Sequence, residues 1–391
     1  MKKTPIMFVI ILVAVLLSQA VLAMEPEYDE EMEFVNLTER GTVLEAGEVE
    51  PGEGQFFRVQ YVTVRIDSGN RKGEVVEVEN SLSDHQYYDI IVEKGQKVVL
   101  MLEEYEDGSF KTYISDYYRA NYLGYLLVLF ALLVIAIGRI KGVKALVSLA
   151  ITVAAVLFVM LPLMLKGWNP ILVSVITAVV VTIVTMVLVA GFNHKTMSAI
   201  LGTSFGVIIA GVIAFYVGNK ASLSGLSAEE ATMLMYIPQG IEFNFRQLLF
   251  AGIIMGSLGA AMDIGISIAS SIEEIHKANP RLSRRRLFRS GMNVGKDVMG
   301  TMVNTLILAY TGTSIPMLLL FMAYETELSK VFNLDVIATE VVRSLSGSIG
   351  LILTIPITAL FASHYSKEQG IKRMRAAKAE IDTMIENEVT E

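Results

Sequence analysis

An aspartate stands inside a long apolar stretch of this chain, in the segment "GSLGAAMDIGISIASSIEE". At 3.6 residues per turn, one face of the helix predicted here carries small and polar residues: Gly252, Gly256, Gly259, Asp263, Ser267, Ser270 and Glu274. The glycines would let another helix approach closely, so we interpret them as helix-packing residues. An ionised aspartate near the bilayer centre costs roughly 2.5–3.5 kcal/mol, so Asp263 is expected to face a bundle interior or a water-filled cavity.

A second polar face follows in "GKDVMGTMVNTLILAYTG". Asp297, Thr301 and Asn304 share it, with Gly300 beside them as a further helix-packing residue. The face runs toward "TGTSIP" (311–316), where we expect a kink or an unwound middle.

Carboxylates and a carboxamide inside a membrane can bind a cation or relay a proton. The candidate transport or ion-binding residues are therefore Asp263, Asp297, Asn304, Ser267 and Thr301. The alternative is that such side chains join helices by hydrogen bonds, and we favour it for the serine and the threonine taken singly.

The composition indicates a membrane protein and excludes several other classes. Apolar residues make up 53% of 391 positions, charged residues 18%, and the mean hydropathy is +0.53. The sequence has no cysteine, no HExxH pattern and no P-loop, so we predict no metal site, no cofactor and no enzymatic activity. An aspartyl protease reading is disfavoured because the sequence lacks a glycine-flanked aspartate motif. Nucleic acid is not expected as a partner, because the sequence has no basic face interleaved with aromatic residues.

The chain divides by composition into six predicted segments. They are a signal peptide (1–23), an acidic linker (24–33), an extracytoplasmic β-rich domain (34–104), an aromatic connector at the membrane surface (105–122), a transmembrane helical domain (123–363) and a cytoplasmic amphipathic helical tail (364–391). Period-two alternation and glycine-rich turns in the β-rich part predict a small β-barrel, OB-like in size.

The predicted fold class is thus a mainly α membrane protein of about seven transmembrane helices with this N-terminal domain. The apolar spans are 123–140, 143–165, 170–190, 197–217, 246–268, 297–323 and 345–363. Basic residues cluster at 139–144, 277–289 and 367–378, which places those segments in the cytoplasm of a cell-membrane protein whose N-terminal domain is exported.

The two polar helical segments, together with "YLGYLLVLFALLVIAIGRIKGVKALVSL" and the β-rich part, resemble the YibE/F-like family of bacterial integral membrane proteins. The resemblance spans nearly the whole chain. It implies a multi-pass membrane protein with an exported β domain, and it implies no particular substrate.

Two functions stay open at this point. The first is a secondary transporter or permease for an ion or small solute, with a polar path using Asp263 and Asp297. The second is a non-transporting scaffold, sensor or assembly factor that acts through its extracytoplasmic domain. Expected partners are the lipid bilayer, an ion or small solute, and a second copy or another membrane protein.

Overall fold

The computed structural model describes residues 34–51, 58–83, 89–105, 108–237, 243–325 and 327–390. The predicted signal peptide and acidic linker lie outside these ranges. The chain divides into two compact units at Ile137/Gly138.

The first unit contains an antiparallel sheet that is curved into a half-barrel. Its described strands are β1 (Phe34–Pro51), β2 (Arg58–Ile66), β3 (Val75–Leu82), β4 (Lys97–Tyr105) and β5 (Phe110–Tyr117), in the order β3-β2-β1-β4-β5. The long β1 pairs with both β2 and β4, and its pairing with β2 is interrupted by register shifts that bend it. The outer strands β3 and β5 also contact each other. This half-barrel confirms the predicted small β-barrel fold class.

Alternating apolar residues of these strands form the core of the half-barrel. Val64 and Leu100 are fully buried in it. Gly41 allows β1 to cross above them, because a Cβ there would lie 2.6 Å from Cγ1 of Val64 and 2.7 Å from Cδ1 of Leu100. β5 lies within the segment 105–122 that was predicted as a connector.

Long helices make up the rest of the described chain. They are α1 (Ala120–Ala155), α2 (Leu161–Leu165), α3 (Pro170–Ala190), α4 (His194–Lys220), α5 (Glu229–Met233), α6 (Phe245–Ala278), α7 (Arg284–Thr313), α8 (Ile315–Ala323), α9 (Leu328–Val331) and α10 (Asp335–Thr390). A π-helical turn, Val156–Met160, joins α1 to α2.

Five helical stretches in the described ranges are long and apolar enough to cross a membrane, or six when α7 and α8 count as one bent span. The prediction counted 123–140 and 143–165 as two spans, and both lie in the stretch Ala120–Leu165, which contains two helices that meet at a kink. Arg139 interrupts it with non-helical backbone angles, φ 48° and ψ −129°. The predicted kink at "TGTSIP" is confirmed, since α7 and α8 meet at 60°.

The helices of the second unit pack around α10, which contacts α4, α6 and α7. Glycines let α4 and α10 approach closely. A Cβ at Gly202 would lie 2.8 Å from Cβ of Thr358, and a Cβ at Gly206 would lie 2.8 Å from the carbonyl oxygen of Gly350. This core fixes the positions of α6 and α7.

The backbone of α10 continues as a helix through the predicted cytoplasmic tail. The prediction that this tail is amphipathic concerns side chains beyond residue 366, which lie outside the described ones.

Candidate functional site

The small and polar face of α6 is exposed along the membrane-crossing part of the helix. Asp263, Ser267 and the three glycines at 252, 256 and 259 are all exposed. The opposite face is buried and packs against α3, α4, α7 and α10 through residues such as Ile254, Ile264 and Ile268. The sequence therefore identified the face correctly, but that face does not point into the interior of the bundle formed by this chain.

The polar face of α7 is exposed in the same way. Asp297, Gly300, Thr301 and Asn304 all lie on it. The buried side of α7 includes Leu306, together with glycines that pack against α6 and α10.

Contacts between α6 and α7 show that the two polar faces lie at the same depth. A Cβ at Gly291 would lie 2.9 Å from Cγ1 of Ile272, and one at Gly256 would lie 2.6 Å from the Tyr310 hydroxyl. The helices are therefore antiparallel, and Asp297 is level with the part of α6 that follows Asp263 by three to six residues. At a rise of 1.5 Å per residue, the two aspartates are offset by about 5–9 Å along the helix axes.

Hydrogen bonding separates the candidate residues into two groups. The Thr301 hydroxyl donates to the carbonyl oxygen of Val298 at 2.9 Å, so its own helix satisfies it. By contrast, Asp263, Ser267, Asp297 and Asn304 make no side-chain hydrogen bond or ion pair within the described part of the chain. These four side chains are free to meet an ion, a solute, water or another chain.

Of the four predicted helix-packing glycines, three face open space among the described residues, and Gly256 faces the Tyr310 side chain of α7. A Cβ at Gly252, Gly259 or Gly300 would meet no described heavy atom within 4 Å, and one at Gly256 would meet only the end of Tyr310. Helix contacts within the chain use other glycines instead, among them Gly206. Packing of the predicted set against a separate chain stays a prediction.

An ion pair beside the α7–α8 bend was missed from the sequence. Arg343 Nη1 donates to Glu340 Oε1 at 2.6 Å, and the Arg343 guanidinium lies 6.0 Å from the centre of the Tyr310 ring. Glu340 Oε2 is buried without a hydrogen-bond partner in the described residues. The predicted span began at 345, whereas α10 begins at Asp335. The spacing of three residues between an acid and a base was the available signal.

Glu340 of this ion pair lines a cavity of about 180 Å³. Thr311 and Ser314 also line the cavity, so the polar face of α7 leads from Asp297 to the bend and to Glu340. No group of three acidic or histidine side chains suited to a metal ion occurs among the residues with described positions.

Comparison with known families identifies the chain. The family profile described as YibE/F-like protein matches residues 126–368. The chain belongs to the YibE/F-like family. The profile of the YibE/F family N-terminal domain matches residues 45–117, which include most of the half-barrel. No curated protein and no solved structure matches this member of the YibE/F-like family.

Proposed function

We propose that this YibE/F-like protein is a secondary transporter or permease for an ion or small solute, and that it acts by transport rather than by catalysis. The observation that carries the proposal is the exposure of Asp263 and Asp297, at similar depth, on two adjacent membrane helices. Insertion of each carboxylate into lipid would cost roughly 2.5–3.5 kcal/mol, so water, a bound ion or a polar partner must cover both.

The bend between α7 and α8 supports the same proposal. A broken helix frees backbone groups, and such breaks occur at the ion and substrate sites of transporters. Here the break lies at the end of the polar face of α7, beside the cavity that Thr311 and Glu340 line. The path we propose therefore runs from Asp297 toward this cavity, with Asp263 and Asn304 along it.

The scaffold or assembly function is the second candidate, and one observation favours it. The exposed glycines of α6 leave room for a helix of another chain to approach Asp263 closely. In that case Asp263 would be covered by protein rather than by water or an ion.

Vesicle flux and partner binding distinguish the two candidates. The wild type, Asp263→Asn and Asp297→Asn would first be screened by thermal shift against ions, amino acids and small organic acids, and each ligand found would then be followed as flux into vesicles. Transport predicts flux in the wild type and its loss in either variant, with folding retained. Glu230→Gln, which removes an exposed carboxylate from the short helix α5, is the matched control and should keep full flux.

A different outcome favours the scaffold. Absence of flux and of ligand shifts, together with loss of a co-purifying membrane protein or of the oligomer in Asp263→Asn, would replace the transport proposal. We also propose that the half-barrel is extracytoplasmic and the tail cytoplasmic in the cell membrane.

The absence of cysteine from the sequence gives a direct test of this orientation. In intact cells, an impermeant maleimide should label Lys72→Cys and not Arg285→Cys. The reverse pattern would invert the proposed topology.

A further inference from the structure

A cleft of about 630 Å³ opens at the start of α6 and the end of α4, and Arg246 is the charged residue that lines it. Phenylalanines and amide side chains form much of its remaining wall. We call it the Arg246 cleft. It lies at the opposite end of α6 from the basic segment 277–289, and neither Asp263 nor Asp297 lines it.

The guanidinium of Arg246 is held in place by neutral acceptors. Its Nε donates to the carbonyl oxygen of Leu223 at 2.8 Å, and its Nη1 donates to Oδ1 of Asn219 at 3.2 Å. No carboxylate forms an ion pair with Arg246 in the part of the chain that the structure describes. An arginine has five N–H donors, so a fixed guanidinium with two of them engaged keeps donors for an oxyanion.

The surroundings favour a negative ligand further. Arg246 and Gln247 lie in the first turn of a helix of 34 residues, the positive end of its dipole. Asp335 contacts the lining residue Ser224 and accepts hydrogen bonds from its backbone N–H and its hydroxyl at 3.1 and 2.6 Å. That carboxylate is therefore already occupied.

Aromatic rings supply an apolar wall for the rest of a ligand. The rings of Phe215 and Phe250 lie edge to face with centroids 5.8 Å apart, and those of Phe243 and Phe245 are 6.2 Å apart. Rings in the wall of a cleft bind apolar groups, and their positive edges tolerate an anion.

We propose that the Arg246 cleft binds an oxyanion, a carboxylate or phosphate, carried on an apolar body. The oxyanion accepts hydrogen bonds from the guanidinium of Arg246, and the apolar body packs against the phenylalanines. The same chemistry belongs to a free organic acid and to the headgroup of an anionic lipid. This binding does not require that the protein transports anything.

The test uses the full-length protein in detergent, with phenylacetate as the solute probe and uncharged phenylacetamide as its match. Isothermal titration should give saturable binding of phenylacetate only. Arg246→Gln should weaken the affinity for phenylacetate about tenfold or more, because it removes a charged hydrogen bond. Lys220→Gln removes an exposed positive charge next to Asn219 in the chain and should leave it unchanged.

A second variant guards against misfolding of Arg246→Gln. Gln247→Glu places a negative charge in the cleft wall, while an acid in the first helical turn favours the helix. It should fold as the wild type does, by circular dichroism, and still lose phenylacetate binding. Asp263→Asn should bind phenylacetate normally, so failure of the transport proposal would not be mistaken for failure of this one.

The lipid source is tested in nanodiscs of phosphatidylcholine with and without phosphatidylglycerol. A lipid headgroup would be supported as the occupant if phosphatidylglycerol competes with phenylacetate. It would also be supported if native mass spectrometry finds phosphatidylglycerol retained by the wild type and not by Gln247→Glu. The proposal is overturned if neither probe binds, if phenylacetamide binds as well as phenylacetate, or if both cleft variants bind like the wild type.

Discussion

The substitution Gly206→Ala tests the close packing of α4 against α10. The added Cβ would lie 2.8 Å from the carbonyl oxygen of Gly350 and 3.1 Å from Cβ of Thr354, and closer still to the Thr354 hydroxyl oxygen. A rotation of Thr354 could move the hydroxyl, but the carbonyl belongs to the backbone of α10. The two helices must therefore separate.

The size of the effect follows from this geometry. Overpacking of a tight core costs about 1–3 kcal/mol, and a backbone obstacle places this site at the upper end of that range. Alanine gains at most about 1 kcal/mol over glycine in helix propensity. A net loss of about 2 kcal/mol corresponds to a fall in Tm of about 4–8 °C for a unit of this size.

Gly252→Ala is the matched control, because it makes the same chemical change on a neighbouring membrane helix. A Cβ at Gly252 would meet no described atom within 4 Å, so this variant should melt at or above the wild-type temperature. Thermal unfolding in detergent, followed by circular dichroism at 222 nm, compares the three proteins. A melting temperature for Gly206→Ala no lower than that of Gly252→Ala would refute the inferred helix contact.

Two further predictions concern the half-barrel. Gln60→Met removes two hydrogen bonds with the backbone of Val92, at 2.8 and 3.1 Å, and leaves buried backbone groups unsatisfied. We expect the free energy of unfolding to fall by about 1–3 kcal/mol, which would appear as faster amide hydrogen exchange in β2. Unchanged exchange would contradict this prediction. The pKa of Asp116 is held below its ordinary value because Arg119 and the backbone N–H of Tyr117 donate to it. Its contribution to stability is therefore present above the unfolded-state pKa and is lost as the pH falls through the lower folded-state pKa. Local exchange in β5 should depend less on pH below about 4 in Asp116→Asn than in the wild type, and equal pH dependence would exclude this role.

Much of the architecture could be predicted from the sequence because local patterns determine it. Period-two alternation predicted the strands, and apolar length predicted the membrane helices. "TGTSIP" predicted the bend, since a proline and a glycine close together weaken a helix locally. The helix breaks at Arg139, at the end of the predicted span 123–140, where non-helical backbone angles separate two helices.

Local sequence patterns determined only part of the candidate site. Helical spacing determined that Asp263 shares a face with Gly256 and Ser267, and that Asp297 shares one with Asn304, because spacing depends only on the geometry of one helix. The tertiary structure alone decided what those faces meet. Both are exposed, since α10 and α4 occupy the opposite side of α6.

The same reason explains the residues that sequence reasoning missed. Gly206 packs helices while Gly252 does not, and nothing in their local sequence separates them, because a contact requires a second helix at the right depth and rotation. Arg246 is the first residue of the predicted span 246–268, and nothing in its local sequence shows that the fold brings Asn219 and the carbonyl group of Leu223 to its guanidinium from 23 or more residues away. The sequence alone determined which segments are long and apolar enough to cross a membrane, and only the packing of whole helices decided which of their side chains are buried, paired or free to bind.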